Sequence, residues 1–566
     1  NALEHAANAG RWDLVALLDP DTPLPSSHAI AAHPEPGADT PAHLLDALRF
    51  GHWAVVSSFT ERARTWPVAE LAALYMELSE PEHVAARQWL LEHGLGAEAE
   101  LDDGARLFDA LVERLPESME AQRQVLDAGA SAAGAGLYAR ALAKLVDAPQ
   151  AVSFALDLLA RGADAFGADA TRRTPLHHAA CAVLTPVLQA LLARGADPNV
   201  RDRNGATPLH IAMNAERTAA LPLVRALIAH GADPESPAAN GETPLGLALA
   251  RGDGALEQWL RWSVWPLPRR SLRAGDLPLA ASTGDAEAVS KLLELGFPID
   301  TRDERGASAL LRACGAGHLE TAQRLLQAKA DAALAAESGA TSLSAAVSAR
   351  RTEVVKLLLE NGAKADQRLP GSATALMVAA ALGFPEIVEV LLDRGANPAL
   401  TDEHGHTALH AAARFCFDSR DSLRCRRLLD ALLRACDKDP ARVDARDAQG
   451  ATPLLLLLGA QAKPDAVADG THLAALLPSL LDAGANPDHA DARGVGALHA
   501  CAMHALFAPA RTLLARGANR EATDTFGRTP SDVARLLGLV DLAMELAPRA
   551  MPSVSRVLRQ PAPSAE

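Results

Sequence analysis

TPLHHAACAVLTPVLQALLARGADPNVRDRNGATPLHIAM, residues 174–213, decides the fold, because its opening string returns before the stretch ends. TPLHHAA begins at Thr174 and TPLHIAM at Thr207, 33 residues later. Further along, TALMVAA at Thr374 and TALHAAA at Thr407 keep the same spacing of 33, and GALHACA follows from Gly496. A second string, LLARGADPN (191–199), returns as LIAHGADPE, LLENGAKAD, LLDRGANPA, LLDAGANPD and LLARGANRE. Its glycines hold the beat: Gly129, Gly162 and Gly195 stand 33 residues apart, as do Gly362 and Gly395, and Gly484 and Gly517. A fixed period of this length identifies a stacked array of small units.

Each unit starts and stops itself. Thr174 and Thr207 are N-cap residues, whose side-chain oxygen accepts a first-turn N–H, and Pro175 and Pro208 follow where a missing N–H costs nothing. Gly162, Gly195 and Gly395 come after an apolar helix and suit the left-handed position that ends it. Leu176, Ala179, Ala180, Leu191 and Leu192 form apolar faces that two helices cannot bury between themselves, so neighbouring units must cover them.

TPLH, GADPN and the period together resemble the ankyrin-repeat family, over nearly the whole chain. The resemblance implies an all-α solenoid of about 16 helix-pair repeats with protruding hairpin loops. It also implies a non-enzymatic scaffold that binds a protein partner through a concave face and the hairpin tips. His177, His210, His410 and His499 share one place in the TPLH motif, for which the resemblance implies a structural hydrogen bond.

Composition agrees with an array. At 566 residues the chain exceeds what one core fills, and 49% apolar content with only 4% aromatic residues favours closely packed helices. The net charge of −16 disfavours nucleic acid. No apolar run reaches the length of a bilayer crossing; Leu454 to Leu458 is among the longest. Six cysteines without CxxC spacing read as reduced thiols, hence a reducing, cytoplasmic compartment. A monomer without cofactor or metal is expected. The start at Asn1 suggests a truncated or processed chain. An alternative reading is therefore a regulatory or targeting segment of a larger enzyme or secreted bacterial effector.

The pattern divides the chain. Residues 1–150 are degenerate repeats, with helix pairs at 2–18, 43–56 and 81–94; 151–253 and 277–412 are repeats; 413–493 carry insertions; 494–566 hold the last repeats, a cap and a tail frayed after Pro561. The match is sharp over 172–249, 276–405 and 494–546. Three breaks interrupt the beat. At 254–276, Trp259, Trp262 and Trp265 with Arg261, Arg269, Arg270 and Arg273 replace the usual leucines, either as an exposed binding patch or as filling for the gap. At 413–447 one unit lengthens, since Thr452 follows Thr407 by 45 residues. At 459–472 an extended loop is expected, with Gly496 following Thr452 by 44. Longer loops in adjacent units would project side by side as a non-repetitive surface.

No P-loop, HExxH, GxSxG or EF-hand string occurs, and catalysis by 413–475 has no nameable nucleophile or acid/base pair. His404, His406 and His410 are close in sequence but expected to point different ways, against a metal site. Cys181, Cys314 and Cys501 are expected to be buried; Cys416, Cys425 and Cys436 fall in the lengthened unit, where no sequence feature lowers a thiol pKa. The candidate partner-binding residues are the tips Arg172, Arg173, Arg203, Asn204, Arg302, Arg305, Gln367, Arg368, His404, His406, Arg446, Arg493, Phe526 and Arg528, with Trp262 and Trp265 at the junction. Arg held on such a surface pairs well with carboxylates or phosphates of a partner.

Overall fold

A computed structural model describes residues 40–145, 150–262, 264–437, 439–462 and 468–548. The expected helix pair at 2–18, the tail after Pro561 and part of the 459–472 loop lie outside these residues. The chain divides into two compact units, one of residues 1–262 and 267–272, the other of residues 263–266 and 273–566.

In both units the described elements are helices in pairs, and each first helix packs against the first helices of its neighbours. Pro175–Cys181 lies against Pro208–Ala212 in one unit, and Ala309–Ala316 lies against Ser342–Ser348 in the other. Extended pairing is confined to isolated bridges across hairpins, such as Arg302 with Ser308 and Ala490 with Gly496.

The local chemistry of the motif explains this regularity. Thr174 is extended at φ −83°, ψ 166°, and its backbone N–H donates to His177 Nδ1 at 3.2 Å. His177 Nε2 donates to the carbonyl of Ala206 in the next repeat at 3.2 Å, which fixes the tautomer leaving Nδ1 as acceptor. The same histidine bridge joins His210 to Glu242 at 3.1 Å, His410 to Ala451 at 3.2 Å and His499 to Arg528 at 3.0 Å. The motif histidine is thus the hydrogen-bonded link from one repeat to the next. At the other end of the pair, Gly195 at φ +89° turns the chain left-handed, and the Ala196 N–H donates to the Leu191 carbonyl at 3.1 Å.

The weakly matching region before residue 150 also forms helix pairs, including Pro41–Arg49 with Trp53–Ser58 and Leu107–Arg114 with Met119–Asp127. Its polar links differ: the buried Tyr75 hydroxyl donates to Ala121 O at 2.8 Å, and the buried Arg87 donates to Leu78 O at 2.6 Å and Glu80 O at 2.7 Å.

The structure corrects three expectations. Cys181, the last residue of its helix, is exposed, unlike Cys314 and Cys501. The unit from 408 lengthens in its helices: Ala408–Asp418 has 11 residues and Ser422–Ala435 has 14, against 7 and 9 in Pro175–Cys181 and Thr185–Ala193. An added turn, Pro440–Val443, takes up more of the insertion. Trp265, offered as an exposed anchor, is 3% exposed, which leaves almost no ring surface for a partner, and its backbone N–H donates to Asp285 Oδ2 at 2.9 Å. Trp259 is buried under the Arg225 guanidinium, 4.6 Å away, and Trp262 is half-buried.

Candidate protein-binding surface

Seven of the described hairpins are each held by one aspartate. Asp202 Oδ1 accepts the N–H of Asn204 at 2.8 Å and of Ala206 at 3.0 Å, closing the turn from within. The same two bonds, between 2.7 and 3.0 Å, recur at Asp169, Asp303, Asp402, Asp447, Asp491 and Asp524. Burial opposes ionisation of Asp169, but hydrogen bonds from Thr171, His178 and the Arg173 backbone outweigh it and bring the carboxyl down to about 2. Asp202, Asp303, Asp402 and Asp524 are lowered by the same balance, burial opposing and hydrogen bonds prevailing. Adjacent tips are also joined by backbone, as in Arg203 N to Thr171 O at 3.1 Å and Ala448 N to His404 O at 2.8 Å.

Many of the candidate arginines serve this scaffold. Arg173 reaches Asp202 at 3.3 Å, Arg203 donates to Ala170 O at 3.0 Å, and Arg368 donates to Thr401 O at 2.6 Å. Arg493 pairs with Asp491 at 2.7 Å, and Arg528 pairs with Asp524 at 2.7 Å while covering the Phe526 ring at 4.8 Å. Gln367 donates to Ala333 O at 2.7 Å, and the Asn204 carbonyl accepts from Ala239 N at 3.0 Å. By contrast Arg172, Arg302, Arg305 and Arg446 are exposed, with no side-chain hydrogen bond or ion pair among the described residues. Phe526 is 79% exposed.

A concavity lies at the lengthened repeat. A cleft of about 620 Å³ runs beside the first helices Ala375–Ala381 and Ala408–Asp418. Met377, Val378, Ala381, Ala411, Phe415 and Leu456 give it apolar walls, and Asp402, His406, Arg414, Asp418, Ser419 and Arg424 supply polar groups. The Arg424 guanidinium is held there: it donates to Gly383 O and Leu382 O and lies 5.1 Å over Phe415 and 5.5 Å over Phe384. Arg414 and Asp418 are exposed and make no ion pair among the described residues.

His406 and His410 line this wall with His404 beside them, against the expectation that the histidines diverge. The His406 ring lies 5.9 Å from His404 and 5.8 Å from His410, and its nitrogens approach Asp402 at 3.3 Å and Asp447 at 3.4 Å. Extra contacts across adjacent hairpins draw His406 inward, while His404 stays 62% exposed. Among the described residues no group of three or more His, Cys, Asp and Glu is placed to hold a metal ion. None of the described helices is long and apolar enough to cross a membrane.

A family model described as "Ankyrin repeats (3 copies)" matches residues 176–260, 277–369 and 364–440. Those stretches are ankyrin repeats. Among solved structures, the ankyrin repeat domain of Bcl-3, titled a unique member of the IkappaB protein family, is 26% identical. The match covers 43% of this chain and 100% of that one, at a TM-score of 0.35, too low to bear on the shape of this chain. No curated protein matches the chain.

The hairpin aspartates are the ankyrin-scaffold residues that reading the TPLH and GADPN strings missed. Their signal is present: Asp169, Asp202, Asp402, Asp447 and Asp524 each precede by five residues the threonine that opens the next helix, at 174, 207, 407, 452 and 529.

Proposed function

We propose that this ankyrin-repeat chain is a non-enzymatic protein-binding module whose partner lies in the cleft of the lengthened repeat and extends over the neighbouring hairpin tips. Ankyrin repeats are generally protein–protein interaction modules. The observation that carries the specific reading is the cleft itself. It joins apolar walls to a rigidly held guanidinium and a rim where Arg414 and Asp418 have no ion-pair partner among the described residues. A concave, mostly apolar surface with few convergent polar groups is the usual form of a binding site. Because the tips are closed by their own aspartates, little ordering entropy is lost when a partner arrives.

The motif histidines are occupied by repeat-to-repeat hydrogen bonds, which supports a structural role for them rather than proton transfer. Arg302 and Arg305 extend the surface as free cations suited to carboxylates. The test is quantitative capture of one identified partner by the full chain and by a variant with Ala411→Trp and Arg414→Glu. A loss of about tenfold or more in affinity, about 1.4 kcal/mol, is expected with helicity retained. Unchanged affinity in a folded variant would remove the cleft from the proposal.

A further inference from the structure

The last described repeat leaves large apolar side chains uncovered. Its two helices, Pro530–Leu536 and Val540–Leu546, are joined by a tight turn in which the Gly538 N–H donates to Arg535 O at 3.0 Å and the Leu539 N–H to Ala534 O at 2.9 Å. Around this turn and along the second helix, Leu536, Leu537, Val540 and Met544 are each between 55% and 73% exposed. Counted from the opening threonine, the same four places after Thr341 hold Ser348, Ala349, Thr352 and Lys356, all small or polar. Large apolar groups gathered this closely on a surface mark a place where another segment packs.

The chain leaves the repeat from the helix that carries Val540 and Met544. Arg520 Nη1 donates to Glu545 O at 2.7 Å and to Ala547 O at 3.1 Å, which fixes the point of exit. The sequence that follows, RAMPSVSRVLRQ at 549–560, lies outside the described residues. In it Val554, Val557 and Leu558 stand at the i, i+3, i+4 spacing of one helical face, Pro552 suits a first turn and Pro561 a stop. Arg549, Arg556 and Arg559 make the segment basic. Asp541, next to Val540, is exposed and makes no ion pair among the described residues.

We propose that residues 552–560 fold back as a short helix antiparallel to Val540–Leu546 and cover Leu536, Leu537, Val540 and Met544 with Val554, Val557 and Leu558. Residues 547–551 are then the connection, of a length common between antiparallel helices. At about 1.5 Å per residue a helix over 552–560 is about 13 Å long, enough to run back along the 7-residue helix to Val540. The arginines of the segment bring the opposite charge to Asp541. A tethered segment meets this surface at an effective concentration on the order of mM, so it occupies the surface ahead of a second copy of the chain.

This contact stands apart from the partner-binding cleft, and its test uses no partner. The full chain is compared with a full-length variant carrying Val554→Asp and Leu558→Asp, by hydrogen–deuterium exchange read by mass spectrometry, with circular dichroism reporting the fold. Peptides from 536–546 are expected to exchange about tenfold or more faster in the variant, while those from 174–200 stay unchanged. Met544→Asp, at an exposed position, is expected to speed exchange in 552–560 in the same way, which identifies the two sides of one contact. Equal exchange of 536–546 in the wild-type chain and the Val554→Asp, Leu558→Asp variant overturns the proposal. So does exchange of 552–560 in the wild-type chain at the rate of a free 549–560 peptide. Light scattering that shows a wild-type dimer, whose dilution speeds exchange in 536–546, would give the surface to a second copy and overturn it as well.

Discussion

Leu209 has no exposed surface and sits one residue before His210, whose ring carries the bond to the next repeat. Truncating it to Ala opens a cavity between stacked first helices, and a loss of about 2–5 kcal/mol is expected in denaturant unfolding of the full chain. An unchanged transition would contradict burial between repeats. His410 tests the polar half of the same interface. Burial drives its pKa down to about 4, partly offset by the hydrogen bond to Ala451, so it is neutral in the folded state near pH 7. His410→Leu removes the acceptor for Thr407 N–H and the donor to Ala451; a loss of about 1–3 kcal/mol is expected for groups left buried and unpaired. The hairpin arginines predict differently. Arg302→Ala with Arg305→Ala is expected to leave the melting temperature unchanged, as neither side chain pairs within the described chain, while weakening capture of a partner.

At the scale of elements, Thr207 and Gly195 show why the repeat is readable from its residues. The cap and the left-handed turn depend on side chains within a few positions, so identical strings fold identically. Thr207→Ala is expected to cost about 1 kcal/mol in thermal unfolding through loss of the cap. Features settled by tertiary packing were less legible. Whether 413–447 extends loops or helices depends on which faces find a neighbour; Cys416, Cys425, Leu428 and Leu432 all do, and the helices continue. Trp265 is buried, and Asp285, twenty residues away, accepts its backbone N–H, a pairing absent from any local pattern. The site was legible only in part for the same reason. Arg302 and Arg305 are exposed as their tip positions imply, but Arg493 and Arg528 are recruited by their own hairpin aspartates.

Over the described residues, the shifted histidines and most of the shifted carboxylates act in one direction, and Asp444, raised by burial, opposes them. His177, His178, His210 and His410 are lowered by burial, and Asp169, Asp202, Asp303, Asp402 and Asp524 are lowered by hydrogen bonds that outweigh burial. Each binds its proton less readily folded than unfolded, so stability is full at high pH and falls as pH drops. The histidine share is lost from about pH 6.5 downward, the value of an unperturbed imidazole, and the carboxylate share below about pH 4. Melting temperatures measured from pH 7.5 to pH 3 are expected to decline in these two stages; a rise on acidification would refute the assignment.

The aspartate that closes each hairpin has a further consequence for variation. Since Asp202 holds its turn through main-chain donors, the identities of residues 203 and 204 are not needed for closure, and the same holds in the hairpins of Asp303 and Asp524. Lineages, or a designer, can rewrite those letters freely while the loop keeps its outline, so new recognition can arise one tip at a time without unravelling the architecture beneath.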